Sequence, residues 1–214
     1  MRATRLIAVL LGVSAGACNS LEPSPPPASL EKTSGDGQNW YFNNPLPAPL
    51  AVTVRDLTGQ VMSDVRVIWK NPLGGGTLNA DTTFTAANGV ATTDYTLGST
   101  TVSVVTATVG NLPSVGFTEH ASAPPTTADV SVTNDAFTPD SVVVQTGGRV
   151  TWTWNSGIQD HTVTYTSGPT PLPTSSGPQS GTSTFFTDFT NVGTYTYQCT
   201  FHPTLMNGKV VVVH

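Results

Sequence analysis

Short runs of alternating apolar and polar residues recur along most of this chain, and they constrain its fold more than any other feature. Residues 50–54 and 150–154 are examples in which every second position is Leu, Val or Trp. Turn signals such as Asn88-Gly89 and Gly110-Asn111 separate the runs. Alternation with a period of two is typical of half-buried strands, and we find no convincing helical pattern. We therefore predict an all-β protein.

The length and composition favour two domains of this kind. The chain has 214 residues, with 17 Pro and 20 Gly, which is long for a single sandwich. Its composition indicates a Pro/Ser-rich tether at residues 18–34, a first domain at residues 35–121, a linker at residues 122–127 and a second domain at residues 128–214. We predict two antiparallel β-sandwich domains in series.

The charge pattern argues against two classes of partner. Charged residues make up only 10% of the chain, the formal net charge is −5, and the few basic residues are scattered. Binding to nucleic acid or to an anionic membrane surface would require a basic patch. We therefore expect no nucleic-acid partner, and contact with a membrane only through an N-terminal lipid anchor.

The N-terminus has the pattern of an export signal. Arg2 and Arg5 precede the apolar residues 6–13, and small residues follow up to Ala17, which predicts a signal peptide at residues 1–17. The apolar run is too short to span a bilayer. Residues 15–18 resemble the lipobox of bacterial lipoproteins, with Ala15 where Leu is usual, and this resemblance implies lipidation of Cys18. The alternative is an ordinary A-x-A cleavage site. Either reading predicts export to the periplasm or the cell surface.

The cysteine count points to a special role for Cys199. If Cys18 belongs to processing, Cys199 is the only thiol of the folded body, so no disulfide can form within a domain. The alternative is a Cys18–Cys199 pair, for which a flexible N-terminal tail is a poor partner. A lone thiol outside the cytoplasm is prone to oxidation. Binding of a metal ion would explain its presence.

Together with Cys199, the side chains of His161, His202 and Met206 form a candidate copper site. Tyr195, Tyr197 and Cys199 fall on one face of a predicted strand, which places the thiol at the end of a buried row. His202 and Met206 follow on the next loop, and His161 begins a second such face. A thiolate and two imidazoles in a trigonal plane, with a weak axial thioether, suit copper. Zinc is less suitable because its structural sites usually have four strong ligands, and Met is not one of them.

The second domain resembles the cupredoxins, the blue copper proteins of the plastocyanin, pseudoazurin and amicyanin type. The matching residues are Phe137-Thr-Pro139, Gly147-Gly148, Val150-Thr-Trp152, His161-Thr-Val163, Gly193-Thr-Tyr195, Cys199-Thr-Phe-His202 and Met206-Asn-Gly-Lys-Val210. The resemblance implies a Greek-key sandwich with one type 1 copper ion. It also implies equatorial ligands at His161, Cys199 and His202 and an axial ligand at Met206. The spacing between His202 and Met206 lies between those of the amicyanin and plastocyanin types.

The first domain resembles the bacterial Ig-like domains of the invasin and intimin type. The matching residues are Gly35-Asp-Gly-Gln38, Leu46-Pro-Ala-Pro-Leu50, Val54-Arg-Asp56, Val65-Arg-Val-Ile-Trp69, Gly74-Gly-Gly76 and Thr85-Ala-Ala-Asn-Gly-Val-Ala91. Such domains mostly serve as stalks or spacers on cell surfaces. The segment has no charged or His/Cys cluster that would suggest chemistry.

These features predict an electron carrier rather than an enzyme. Four protein ligands leave no open position for a substrate. A binuclear centre would need a second cysteine, and coupling to another copper would need His residues in place of Gln198 and Thr200. We expect unidentified redox proteins as partners, with electrons leaving through His202.

The apolar residues beside His202 form the predicted docking surface, namely Phe201, Pro203 and Leu205. Two other functions remain open. The protein could bind or scavenge copper in the periplasm, or it could be an adhesion or structural module of the cell surface with a non-functional copper site.

Overall fold

The computed structural model describes residues 25–214, and these residues form strands and connecting segments. The predicted signal peptide, Cys18 and the first part of the predicted tether lie outside the described residues. Within residues 25–214, no helix has the length and hydrophobicity needed to cross a bilayer. The prediction of an all-β protein is confirmed.

The N-terminal sandwich has its own hydrophobic core, built from residues between Leu30 and Ala121. Its strands are β1 (Ser29–Ser34), β2 (Asn39–Tyr41), β3 (Leu50–Arg55), β4 (Arg66–Leu73), β5 (Thr77–Leu78), β6 (Thr82–Phe84), β7 (Val90–Thr93), β8 (Tyr95–Thr96), β9 (Val102–Thr108) and β10 (Val115–Ser122). The two main sheets have the orders β1-β3-β7 and β2-β10-β9-β4-β6, and β5 pairs with β8. Trp69 and Phe117 fill the core between the main sheets.

The first strand corrects one predicted boundary. The composition predicts a tether up to residue 34, but residues 29–34 form β1, which pairs with β3 in an antiparallel register that places Leu30 opposite Val54. The Leu30 side chain is only 8% exposed. A single apolar residue among Ser, Lys and Glu gives no visible alternation, so the composition of this strand resembles that of a tether.

The C-terminal sandwich has a second, separate core between Val130 and Val212. Its strands are β11 (Thr127–Thr133), β12 (Ala136–Thr138), β13 (Ser141–Gln145), β14 (Gly148–Trp154), β15 (Gly157–His161), β16 (Thr164–Ser167), β17 (Gln179–Gly181), β18 (Thr184–Phe189), β19 (Gly193–Gln198) and β20 (Asn207–Val213). The main sheets have the orders β12-β11-β14-β18 and β13-β20-β19-β16, and β15 pairs with β17. Trp152, Tyr165 and Tyr197 pack edge to face inside it.

The sheets are mixed, whereas the sequence suggests antiparallel pairing throughout. The pairs β2–β10, β11–β14 and β13–β20 are parallel. The alternation of apolar residues shows which side chains face a core, but it carries no information on the direction of the neighbouring strand. All three pairs join strands that are distant in sequence, so their connections are long enough for parallel pairing.

The segment between the sandwiches is hydrogen-bonded to both. The sequence predicts a linker over residues 122–127, but β10 includes Ser122 and β11 begins at Thr127. Ser122 O accepts from Phe42 N at 3.0 Å, and Pro125 O accepts from Gln145 N at 2.8 Å.

A second contact joins the two sandwiches at the end of the chain. His214 N donates to Asn44 Oδ1 at 3.0 Å, and Asn44 Nδ2 donates to His214 O at 3.3 Å. Asn44 is buried, so this pair of hydrogen bonds is shielded from water on the side of the N-terminal sandwich.

Candidate metal centre

The loop between β19 and β20 carries three of the predicted ligands. Cys199 directly follows β19, and Met206 directly precedes β20. Cys199 N donates to Met206 O at 3.0 Å, and Met206 N donates to His202 O at 2.9 Å. These backbone hydrogen bonds close the loop, so that Cys199, His202 and Met206 are held on one compact turn.

A glycine allows the strand after this loop to pass close to a core aromatic ring. A Cβ atom at Gly208 would lie 2.3 Å from Cζ of Tyr197, which is directly opposite in the β19–β20 register. No other residue type avoids this contact. The next pair in the register, Gln198 and Asn207, leads directly into the ligand loop. The close approach at Gly208 therefore helps to set the positions of Cys199 and Met206.

The fourth ligand candidate, His161, reaches the site from another part of the sandwich. The sequence predicts one strand face carrying His161, Val163 and Tyr165. All three side chains are buried, but β15 ends at His161 and β16 begins only at Thr164. The break is stabilised by Ser176, whose Oγ accepts from Val163 N at 2.8 Å and whose N–H donates to Val163 O at 3.0 Å. In the sequence, the loop that carries Ser176 is visible only as an interruption between strands.

The structure brings one thiol and two imidazoles together. Cys199 Sγ lies 3.6 Å from His161 Nδ1 and 3.7 Å from His202 Nδ1. The three ligand atoms lie within 4.8 Å of one another. Two ligands placed 120° apart around a shared ion, with metal–nitrogen and metal–sulfur distances of about 2.0 and 2.3 Å, are separated by about 3.7 Å. The donor set and its spacing therefore fit a trigonal metal ion.

Met206, the predicted thioether ligand, lies in the apolar surroundings of this cluster. Met206 and Cys199 are fully buried members of the same core as Phe137 and Trp154. No acidic side chain joins the metal-ligating group within residues 25–214. A thiolate, two imidazoles and a thioether in a water-poor setting favour a soft or borderline metal ion.

Two threonines fix the thiol, and no sequence pattern indicates their role. Thr162 N donates to Cys199 Sγ at 3.4 Å, which holds the sulfur atom in place. Thr162 Oγ1 accepts from Thr200 N at 2.9 Å. Thr162 follows His161 and Thr200 follows Cys199, so these hydrogen bonds tie the two ligand-bearing segments together. Thr is so frequent in this chain that its pattern could not single out either residue.

The electrostatic setting keeps the buried imidazole neutral. Burial, followed by the nearby His202, lowers the pKa of His161, while Asp135 and Asp160 oppose this effect more weakly. A neutral imidazole is the form that binds a metal ion. His161 Nε2 is buried without a hydrogen-bond partner among the described residues, so packing fixes this side of the ring.

One side of the cluster reaches the surface. The His202 side chain is 24% exposed, whereas His161 is fully buried. The three predicted docking residues lie on the same loop and are all exposed, with Phe201 at 52%, Leu205 at 68% and Pro203 also exposed.

Comparison with known proteins assigns the C-terminal sandwich to a family. Residues 126–213 match the copper binding proteins of the plastocyanin/azurin family. Amicyanin-alpha of Methylorubrum extorquens is 37% identical over 91 residues, which cover 42% of this chain and 75% of the relative. This chain belongs to the plastocyanin/azurin family of copper binding proteins. Copper is the cofactor of this cupredoxin, and since the family consists of electron carriers, the protein is not an enzyme.

Solved structures similar to parts of this chain include two copper proteins and one domain of Intimin. They are a purple cupredoxin from Nitrosopumilus maritimus (25% identity, TM-score 0.36, covering 40% of this chain and 98% of that chain), a point mutant of amicyanin in its reduced state (28%, 0.35, 40% and 81%) and the D00-D0 domain of Intimin (17%, 0.35, 44% and 44%).

Proposed function

We propose that this protein is a mononuclear blue copper protein that transfers single electrons, and that His161, Cys199, His202 and Met206 would hold its copper ion. The observation that carries the proposal is the spacing of 3.6 and 3.7 Å between Cys199 Sγ and the two Nδ1 atoms. Copper supplies the change between the Cu(II) and Cu(I) states. The protein supplies a site that changes little between them.

The rigidity of the site follows from contacts already described. His161 is fixed by burial, and Cys199 is held by the amide of Thr162. The backbone hydrogen bonds of the ligand loop fix Met206. Ligands held in this way reorganise little when the charge of the ion changes, which favours fast electron exchange. The apolar surroundings of Cys199 and Met206 raise the reduction potential by disfavouring the higher charge.

The route to a partner would run through His202, the ligand whose ring reaches the surface. Phe201, Pro203 and Leu205 surround it with exposed apolar area, and they would form the contact with a redox protein. Exposed apolar groups around a ligand allow a partner to approach closely and to exclude water from the path between the two redox centres.

The setting of the copper domain is a second part of the proposal. We infer export to the periplasm or the cell surface through a signal peptide at residues 1–17, with Cys18 as the lipidated first residue of the mature chain. The copper domain would occupy residues 128–214, and the N-terminal sandwich would act as an Ig-like spacer. The similarity to amicyanin-alpha supports export, and the sequence pattern supports the anchor.

Absorption and EPR spectroscopy test the copper site directly. The full chain, a Cys199→Ser variant and a Cys18→Ser control are purified and loaded with Cu(II). An intense thiolate-to-copper band with narrow hyperfine splitting should appear in the wild type and the control and be absent in Cys199→Ser. A colourless wild type would contradict the proposal and favour a surface module. A blue protein that exchanges electrons slowly but releases Cu(I) readily would favour copper delivery.

A further inference from the structure

The exposed ring nitrogen of His202 faces a carboxylate from a distant turn. Asp135 Oδ1 lies 3.5 Å from His202 Nε2. Asp135 occupies the two-residue turn between β11 and β12, because Thr133 and Ala136 form the last pair of that ladder. The contact is longer than an ideal hydrogen bond, but the Asp135 side chain is 54% exposed and free to rotate toward the ring.

We propose that Asp135 is a positioning residue for the copper site, which orients His202 through Nε2 and favours Cu(II) over Cu(I). This inference rests on the proposed function, since it gives a role to a residue that acts on the copper through a ligand.

The first part of the argument concerns the tautomer of His202. A neutral imidazole carries its proton on one nitrogen and offers the other as a ligand. A carboxylate at Nε2 stabilises the Nε2–H form, because only that form can donate to Asp135. The unprotonated Nδ1 then faces Cys199 Sγ, 3.7 Å away. Asp135 therefore selects the form of His202 that can bind a metal ion at Nδ1.

The second part concerns how each imidazole is held. Burial fixes His161 on all sides, and its Nε2 has no hydrogen-bond partner within residues 25–214. His202 lacks this support because its ring reaches the surface. Besides the thiol, the only polar side-chain contact found for its ring in the described part of the chain is Asp135. The exposed ligand thus depends on a charged contact where the buried ligand depends on packing.

The third part concerns charge. The carboxylate lies one imidazole ring beyond the ligating nitrogen, so its negative charge stabilises the more highly charged ion. For a half-exposed group at such a distance, the attraction corresponds to roughly a threefold to tenfold change in the equilibrium constant for reduction. A factor of ten corresponds to about 59 mV for one electron.

Two variants of Asp135 separate the two effects. Asp135→Asn removes the charge but keeps an oxygen that can accept from Nε2–H. Asp135→Gly removes the whole side chain, and the backbone tolerates it because φ is 62° at this position. Asp160→Asn is the control, since it removes the same charge next to His161 rather than at the ring of His202.

Two readouts decide the outcome. Reduction potentials of the copper-loaded proteins should rise in both Asp135 variants, by the amount that corresponds to a threefold to tenfold change in the equilibrium constant for reduction. The rise in Asp160→Asn should be smaller. Ring ¹⁵N NMR spectra of the metal-free proteins, at a pH where His202 is neutral, should show the Nε2–H form in the wild type and in Asp135→Asn. The Nδ1–H form should become several times more populated in Asp135→Gly.

The inference is overturned if the Asp135 variants shift the potential no more than Asp160→Asn does, or if the tautomer population in Asp135→Gly equals that of the wild type. The NMR comparison needs no copper. It therefore still decides whether Asp135 selects the tautomer if the wild type lacks a blue copper band and the proposed function fails.

Discussion

Replacing Gly208 with Ala should destabilise the C-terminal sandwich and disturb the copper site together. The added Cβ would lie 2.3 Å from Cζ and 2.5 Å from Oη of Tyr197. The ring cannot easily move away, because Trp152 packs on it at 5.3 Å and Phe137 at 4.9 Å between ring centroids. Overpacking of this kind costs about 1–3 kcal/mol, and the rigid surroundings place the expected loss near 3 kcal/mol.

Urea unfolding of the metal-free protein measures this loss, with Gly116→Ala as the matched control. Gly116 also lies in a strand, and a Cβ there would meet nothing within 4 Å. The control should change the free energy of unfolding by less than about 0.5 kcal/mol. In a Tyr197→Leu background the Gly208→Ala substitution should cost much less, because the ring that it contacts is gone. An equal cost in both backgrounds, or a loss below about 1 kcal/mol, would refute this account of the close approach.

Three other substitutions test separate features. Thr162→Val should destabilise the metal-free protein by about 1 kcal/mol, because the amide of Thr200 loses its acceptor, whereas Thr164→Val should have little effect on urea unfolding. Burial raises the pKa of Glu119, so its contribution to stability is fully present below the unfolded-state pKa and is lost as the pH rises through the folded-state pKa. Glu119→Gln should therefore increase the free energy of unfolding by on the order of 1 kcal/mol more at pH 7 than at pH 4, as measured by urea unfolding. Equal gains at both pH values would argue against this role of burial. Leu205→Lys should slow electron exchange with the redox partner in stopped-flow measurements and leave the visible spectrum unchanged, and an unaltered rate would exclude this surface as the docking site.

The parts of the site that are close in sequence could be predicted well. Cys199, His202 and Met206 lie on one turn, so their spacing alone brings them together. The phase of an alternating run places His161, and this residue does reach the thiol even though its strand ends there. The sequence does not predict the roles of Thr162, Thr200 and Asp135, because their contacts join segments that are far apart in the chain. Nothing in the local pattern of Asp135 indicates that it meets His202.

For the fold, too, the sequence predicts local features but not the pairing of distant strands. Alternation identified the buried faces, and the rows with Trp152 and Tyr197 are indeed buried. Alternation carries no information on strand direction, so it does not predict the parallel pairs. The sequence pattern does not predict β1, because the stability of this strand comes from pairing with β3 rather than from its own apolar content. Pairing between distant strands is a tertiary property that a local pattern does not encode.

Strand β20 separates the ligand loop from the contact between the two sandwiches. The strand begins at Asn207, beside the ligand loop, and after about 20 Å it ends next to His214, which is bound by Asn44. A protein docked on the His202 face therefore contacts the end of the strand opposite to the one held by Asn44. Electron exchange at the His202 face can therefore proceed while His214 and Asn44 keep the two sandwiches joined.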